Sequence, residues 1–404
     1  MGRWQDVRRC RQMGFHGDGR SAVVARCSHG ASRMCASFRD RLRDVLGDRI
    51  VELASDAVST VRASGAGIVR RIADGPIEVS PFLGYGTTSR VLIMGRVTER
   101  AELPKSNAGD RRWRNAYALY RRISTDGIAK AKVQVKIAGV GGATERVLTT
   151  DDEGFFRDWI TLDAALDPLV LRHPVKFRVL EPAYRESAEA SGEVMVPPAD
   201  AEFGVISDLD DTVIQSHVDD FMKALMALAL ENAHTRTPFP RVAEFYQALT
   251  LGVDRKGHNP MFYVSSSPWE ILDAIEEFLV LQKIPPGPVL LRDWDVDFGA
   301  LKSSRLKGHK LPLVREILEL YPKLPFVLIG DTTQQDPEIY KEVVHEHPDR
   351  ILAVYIRAVS PSEERKASVQ ALAKEVVEAR SRLVLIKDTE EAERDAAANG
   401  LIAK

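Results

Sequence analysis

The sequence predicts an α/β protein in which a doubly wound parallel-sheet domain is preceded by a small antiparallel β-sandwich and an N-terminal helical segment. Three observations predict it. After Val194-Met-Val-Pro-Pro198, apolar runs alternate with helical stretches, the pattern of parallel strands joined by crossover helices. Before it, short alternating segments are separated by turn residues, the pattern of an antiparallel sheet. Thirdly, the apolar run Phe203-Gly-Val-Ile-Ser207 leads straight into Asp208-Leu-Asp-Asp-Thr212. That places carboxylates at the C-terminal end of a buried strand, where open α/β sheets bind ligands.

In chain order, residues 1–34 are irregular and basic, and read as an extension or as sequence upstream of a start at Met34. Residues 35–80 form the helical segment: Phe38, Leu42, Val45, Leu46, Ile50, Leu53, Ala57 and Val61 recur at helical spacing with arginines beside them. Such a helix packs on protein or lies on a membrane surface, and packing is the plainer reading. Residues 81–198 form the sandwich, with strands expected at Arg90–Val97, Val133–Ile137, Val175–Leu180 and Glu193–Val196, and a turn at Thr149–Gly154 before Phe155. That Thr-Asp-x-Glu-Gly-Phe-Phe turn resembles the hairpin of transthyretin-like and carboxypeptidase-regulatory-like modules. The basic, aromatic stretch Arg111–Arg122 reads as a solvated helix face, or as a phosphate contact. Residues 199–404 form the parallel-sheet domain, with strands expected at Phe203–Ser207, Met261–Val264, Val289–Leu291, Phe326–Ile329, Ile351–Ile356 and Leu383–Ile386.

Composition narrows the class. The chain has 404 residues, 44% hydrophobic and 28% charged, values of ordinary soluble proteins. A formal net charge of −2 gives no bulk attraction to nucleic acid, so none is expected as a partner. The 3 cysteines, Cys10, Cys27 and Cys35, all lie near the N-terminus, so neither a disulfide framework nor a cysteine-rich zinc site supports the body. No apolar run reaches the roughly 18 residues that span a bilayer, and no signal peptide is evident. A reducing cytoplasm is the expected compartment.

The chemistry lies in four elements at successive strand ends: Asp208-x-Asp210-x-Thr212; Phe262-Tyr-Val-Ser265-Ser-Ser-Pro-Trp-Glu270; Lys310, just before the helix near Leu311; and Gly330-Asp331-Thr-Thr-Gln-Gln-Asp336. Each alone reads as a cap, a turn or a solvated charge; together they suit phosphoryl transfer. A carboxylate that attacks phosphorus forms an acyl-phosphate and splits one hard step into two. Attacker and substrate are both anionic, so a cation between them is needed, and Mg²⁺ prefers oxygen ligands. Asp208 is the expected nucleophile and a metal ligand, with the Asp331 side chain and the Asp210 carbonyl beside it. Asp210 is also the expected general acid and base. Ser265 suits a non-bridging phosphate oxygen, and Lys310 the charge that builds up around Asp208. Thr212 and Asp336 are supporting candidates, Asp336 by ordering the loop or a water.

This order of motifs resembles the haloacid-dehalogenase-like superfamily, and Asp210 favours its phosphatase branch. Ile206-Ser-Asp-Leu-Asp-Asp-Thr-Val213, Phe262-Tyr-Val-Ser-Ser-Ser-Pro-Trp269, Leu290-Leu-Arg-Asp-Trp294, Lys307-Gly-His-Lys310 and Gly330-Asp-Thr-Thr-Gln-Gln-Asp-Pro-Glu-Ile-Tyr340 resemble, within it, the phosphatidate phosphatase family of the actin-patch-associated type. The likeness covers about 200–360 and departs at Ser266, where asparagine is expected. It implies Mg²⁺-dependent hydrolysis of phosphatidate to diacylglycerol and phosphate. The Phe221–Leu230 segment, apolar and Met-rich, then lies over the pocket, to accept an acyl chain or simply to close it. Lys302, Arg305, Lys307 and His309 suit an anionic substrate, a peripheral contact with an anionic membrane, or solvent. Trp269 and Trp294 read as buried residues or as an interfacial rim. Two other readings stand beside this one. One is a phosphatase for a soluble phosphate ester. The other is a partner- or membrane-binding module with weak catalysis, which the complete catalytic set disfavours.

Overall fold

The computed structural model describes residues 77–99, 127–182, 188–209, 212–213, 239–269, 272–292, 307–359, 362–378 and 381–404. The expected extension at 1–34, residues 35–76 of the expected helical segment, Arg111–Arg122, Asp210, Phe221–Leu230, Trp294, Lys302 and Arg305 lie outside them, and the end of that segment, Ile77–Ser80, is strand rather than helix. The described residues all fall within one compact unit, Ala57–Lys404.

The first seven described strands belong to one sheet: β1 (Ile77–Gly86), β2 (Arg90–Glu99), β3 (Lys132–Gly139), β4 (Gly142–Thr149), β5 (Phe155–Thr161), β6 (Arg172–Glu181) and β7 (Glu189–Met195). Their order is β4-β3-β6-β7-β1-β2-β5. This corrects the expected antiparallel sandwich of two sheets. Two antiparallel sets, β4-β3-β6-β7 and β1-β2-β5, are fused by a parallel pairing of β1 with β7 through Gly84–Val194 and Tyr85–Met195. Val194 and Met195, within the strand expected at Glu193–Val196, are sheet residues, and β1 begins upstream of Pro81. The sheet curls until its edges approach: Arg146 of β4 donates to the Thr161 carbonyl at the end of β5 and to the Asp163 carboxylate at 2.7 Å. The expected turn before Phe155 is present. Asp151 Oδ1 accepts the amides of Glu153 and Phe155, each at 2.9 Å, and Gly154 takes φ +82°, which a side chain would strain.

The curled sheet buries its inside and, around β1, β2 and the end of β7, part of its outer face. Ile77, Val79, Val91, Ile93, Val133, Val135, Val175 and Phe177 fill its inside. Phe82, Tyr85, Leu92, Met94 and Met195 join the core of the second sheet.

That second sheet has six strands, all parallel: β8 (Gly204–Asp208), β9 (Met261–Pro268), β10 (Val289–Arg292), β11 (Phe326–Asp331), β12 (Ile351–Arg357) and β13 (Leu383–Ile386). Every residue of β8 and β11 is buried, as a parallel sheet covered on both faces requires. The helices are α1 (Val242–Leu251), α2 (Leu272–Leu281), α3 (Lys307–Leu320), α4 (Asp336–Glu346), α5 (Glu363–Glu378) and α6 (Thr389–Ala398). Helix α4 packs on α3 and α5, α1 packs on α6, and β13 meets both α5 and α6. All six strand positions match those expected from the sequence.

The strand order is β10-β9-β8-β11-β12-β13. The chain runs outward from β8 to β10, then restarts beside β8 with β11. The crevice beyond β8 and β11 is therefore a topological switch point, the ligand position of open α/β sheets.

Candidate active site

Three expected site residues sit on neighbouring strands at this switch point. Asp208 is the last residue of β8 and Asp331 the last of β11, which pairs directly with β8. On the other side β9 pairs with β8, with Val264 opposite Asp208, so Ser265 lies one residue further along the neighbouring strand. All three are fully buried. Lys310 enters from the first turn of α3, and Asp336 from the first turn of α4.

Charge organises the centre. Lys310 Nζ lies 2.9 Å from Asp208 Oδ1 and donates to Asp336 Oδ1 at 2.7 Å. Asp336 Oδ2 accepts the Asp331 amide at 3.2 Å, which ties the start of α4 to the end of β11. Asp331 Oδ2 accepts from Thr212 Oγ1 at 3.3 Å, and Oδ1 accepts from the Thr333 amide and hydroxyl, each at 2.5 Å. Burial first, then the negative charge of Asp336, push the Asp331 carboxyl up to about 6, against the opposing pull of Thr333 and Lys310.

The carboxylates of Asp208, Asp331 and Asp336 offer ligand atoms within 4.8 Å of one another, and all three are buried. One ammonium contacts two of these three acids, and Asp331 is left where its charge is disfavoured. A hard divalent cation with oxygen ligands fits this donor set. Asp208 and Asp331 end the paired strands β8 and β11 at the switch point, whereas Asp336 opens α4 and ties Lys310 to the Asp331 amide. Asp210, the third expected ligand, lies outside the described residues.

An opening of about 520 Å³ reaches Lys310 and Asp336, lined also by Thr333, Gln334, Gln335 and Arg365. Arg365, on α5, donates to the carbonyls of Thr332 at 3.2 Å and Gln334 at 2.8 Å and pairs with the Glu338 carboxylate, fixing the loop between β11 and α4. Sequence reasoning missed Arg365 because a lone arginine on a polar helix carries no local signal. It also missed Tyr246, whose hydroxyl shares a 2.7 Å hydrogen bond with Ser207, the residue before Asp208. Trp269 is partly buried against the common core and stacks on Phe82.

The fold and this centre define an α/β protein with an acidic, metal-competent site at the switch point of a parallel sheet. Residues 203–358 match the family model of the phosphatidate phosphatase APP1 catalytic domain. The yeast protein phosphatidate phosphatase APP1, from Saccharomyces cerevisiae, is 28% identical over 159 residues, 39% of this chain and 26% of its own. An uncharacterized protein of Schizosaccharomyces pombe is 27% identical over 162 residues, 38% of this chain and 25% of its own. The chain therefore spans about a quarter of the length of these relatives. A solved β-glucuronidase of Parabacteroides merdae aligns at 10% identity over 76% of this chain and 39% of its own, with a TM-score of 0.24, which relates neither fold nor function.

Proposed function

We propose that this chain is a Mg²⁺-dependent phosphatidate phosphatase of haloacid-dehalogenase-like type that hydrolyses phosphatidate to diacylglycerol and phosphate through an aspartyl-phosphate on Asp208. The observation that carries the reading is the buried Asp208–Lys310–Asp336 chain beside Asp331, inside the segment that matches the phosphatidate phosphatase family.

An Asp208 carboxylate oxygen attacks phosphorus, and the bond between phosphorus and the glycerol oxygen breaks. Asp210 gives its proton to that oxygen, so diacylglycerol leaves neutral. Asp210 then takes a proton from water, whose oxygen attacks the acyl-phosphate; inorganic phosphate leaves and Asp208 is regenerated. Lys310, 2.9 Å from Asp208, pairs with the nucleophile and offsets charge on the phosphoryl oxygens. The Ser265 hydroxyl donates to one of those oxygens. Asp336 orients Lys310, and Thr212 orients Asp331. Bound Mg²⁺, held by the side chains of Asp208 and Asp331 and the carbonyl of Asp210, would supply charge neutralisation between two anions.

No described helix is long and apolar enough to cross a membrane. We place the enzyme in the cytoplasm, with peripheral contact to anionic membranes when it meets its lipid substrate. The first test is Asp208→Asn, which keeps the side-chain shape and removes the nucleophile. Phosphate release from phosphatidate is expected to vanish; appreciable retained turnover would exclude the aspartyl-phosphate.

A further inference from the structure

Strand β1 meets the two elements that carry Ser265 and Lys310. Its pairing with β2 slips within the strand: Phe82 faces Met94 and Tyr85 faces Leu92, so three steps of β1 span two of β2. In a regular strand, residues three apart point to opposite faces. A bulge re-aims the second, and here it turns Phe82 and Tyr85 the same way. Both join the parallel sheet's core, whereas Ile77 and Val79 of the same strand face the inside of the curled sheet.

The contacts are specific. The Phe82 ring stacks on Trp269, with centroids 5.9 Å apart and planes at 17°. Trp269 directly follows β9, the strand of Ser265. Tyr85 meets the edge of Phe262, in the same strand, at 5.9 Å and 87°. The Tyr85 hydroxyl donates to Glu316 Oε1 at 2.7 Å, on the helix whose first turn holds Lys310. Burial, and then Glu316, raise the Tyr85 phenol far above its ordinary range, so it stays a donor. Just beyond that helix, Tyr321 donates to the Gly86 carbonyl at 3.0 Å.

We propose that Phe82–Gly86 is a positioning element for the reaction, holding β9 and α3 in the relative placement that brings Ser265 and Lys310 to Asp208. The curled sheet is then part of the catalytic apparatus, beyond any recruiting role. The proposal rests on the phosphatase reading for its kinetic consequence.

The experiment uses the full chain with Phe82→Ala, Phe82→Tyr, Tyr85→Phe and, as a control facing the inside of the curled sheet, Val79→Ala. Amide hydrogen exchange at Val264–Ser265 and Lys310–Glu316, thermal midpoint, and kcat and KM for phosphatidate and a soluble phosphate ester are measured. Phe82→Ala and Tyr85→Phe are expected to speed exchange in those segments. They should lower kcat about tenfold with KM changed less than about twofold, since small misplacements of catalytic groups are costly. Phe82→Tyr restores both, and Val79→Ala lowers the midpoint without touching kcat. Unchanged exchange and kcat in a folded Tyr85→Phe or Phe82→Ala protein, or an equal kcat loss in Val79→Ala, overturns the proposal. Should Phe82→Ala not fold, Tyr85→Phe decides, because it removes only a hydroxyl. Should the parent protein release no phosphate from any substrate, the phosphatase reading fails. The exchange measurement still decides whether β1 holds these two segments.

Discussion

Asp331 sits where burial and the charge of Asp336 disfavour its carboxylate, and the relief of that tension is measurable. Its carboxyl, pushed up to about 6 from the ordinary 3.8, binds a proton more readily folded than unfolded. Without a cation, its contribution therefore erodes stability as pH rises from about 4 to about 6 and costs its full amount above that. A divalent cation replaces the proton, so Mg²⁺ is expected to raise the thermal midpoint clearly at pH 7.5 and little at pH 5. Asp331→Asn should abolish the Mg²⁺ effect at both; an undiminished shift in that variant would move the cation site elsewhere. At this scale the sequence was informative. Asp208, Ser265, Lys310, Asp331 and Asp336 were legible because each stands beside an apolar run that marks a strand or a helix start, and order along the chain fixes strand ends. Arg365 and Tyr246 were not legible, because their partners are backbone groups and hydroxyls distant in sequence.

The loop from β11 to α4 works as one element, and Gly330 is its tightest point. A Cβ there would lie 2.6 Å from Asp336 Oδ2 and 2.7 Å from Asp336 Cβ, closer than real contacts allow. Gly330→Ala is therefore expected to push Asp336 off Lys310 and the Asp331 amide. Turnover should fall about a hundredfold or more in a protein whose circular dichroism is unchanged. Normal kcat in Gly330→Ala would mean that the Asp336–Lys310 pair is dispensable. The parallel strands were legible as short apolar runs between turn signals. Strand β1 was not among the expected strands, the domain being read from Pro81, because its bulge breaks the alternation on which a strand reading depends. Its parallel pairing with β7 was invisible for another reason: which edges meet depends on contacts far apart in the chain.

Across the whole molecule, the two sheets share a core. Phe82, Tyr85, Leu92, Met94 and Met195 are buried with Phe262, Tyr321 and Phe326 rather than with the inside of their own curled sheet. Such a common interior couples the unfolding of the parts it joins. Calorimetry is expected to show residues 77–404 unfolding in one transition, with calorimetric and van't Hoff enthalpies in agreement. Two resolved transitions would make the curled sheet an independent module. The division near residue 198 followed a change of sequence texture; it falls between the end of β7 at Met195 and the start of β8 at Gly204. It could not reveal the shared core, because alternation shows that a strand has two faces without showing what covers the second.

The central claim is tested most directly by phosphate release from phosphatidate in mixed micelles, with and without Mg²⁺, beside a panel of soluble phosphate esters. The account predicts strong Mg²⁺-dependent release from phosphatidate and weak release from the soluble esters. Release from soluble esters alone would contradict the lipid substrate while leaving the aspartyl-phosphate chemistry in place, and no release from any of them would contradict the phosphatase itself.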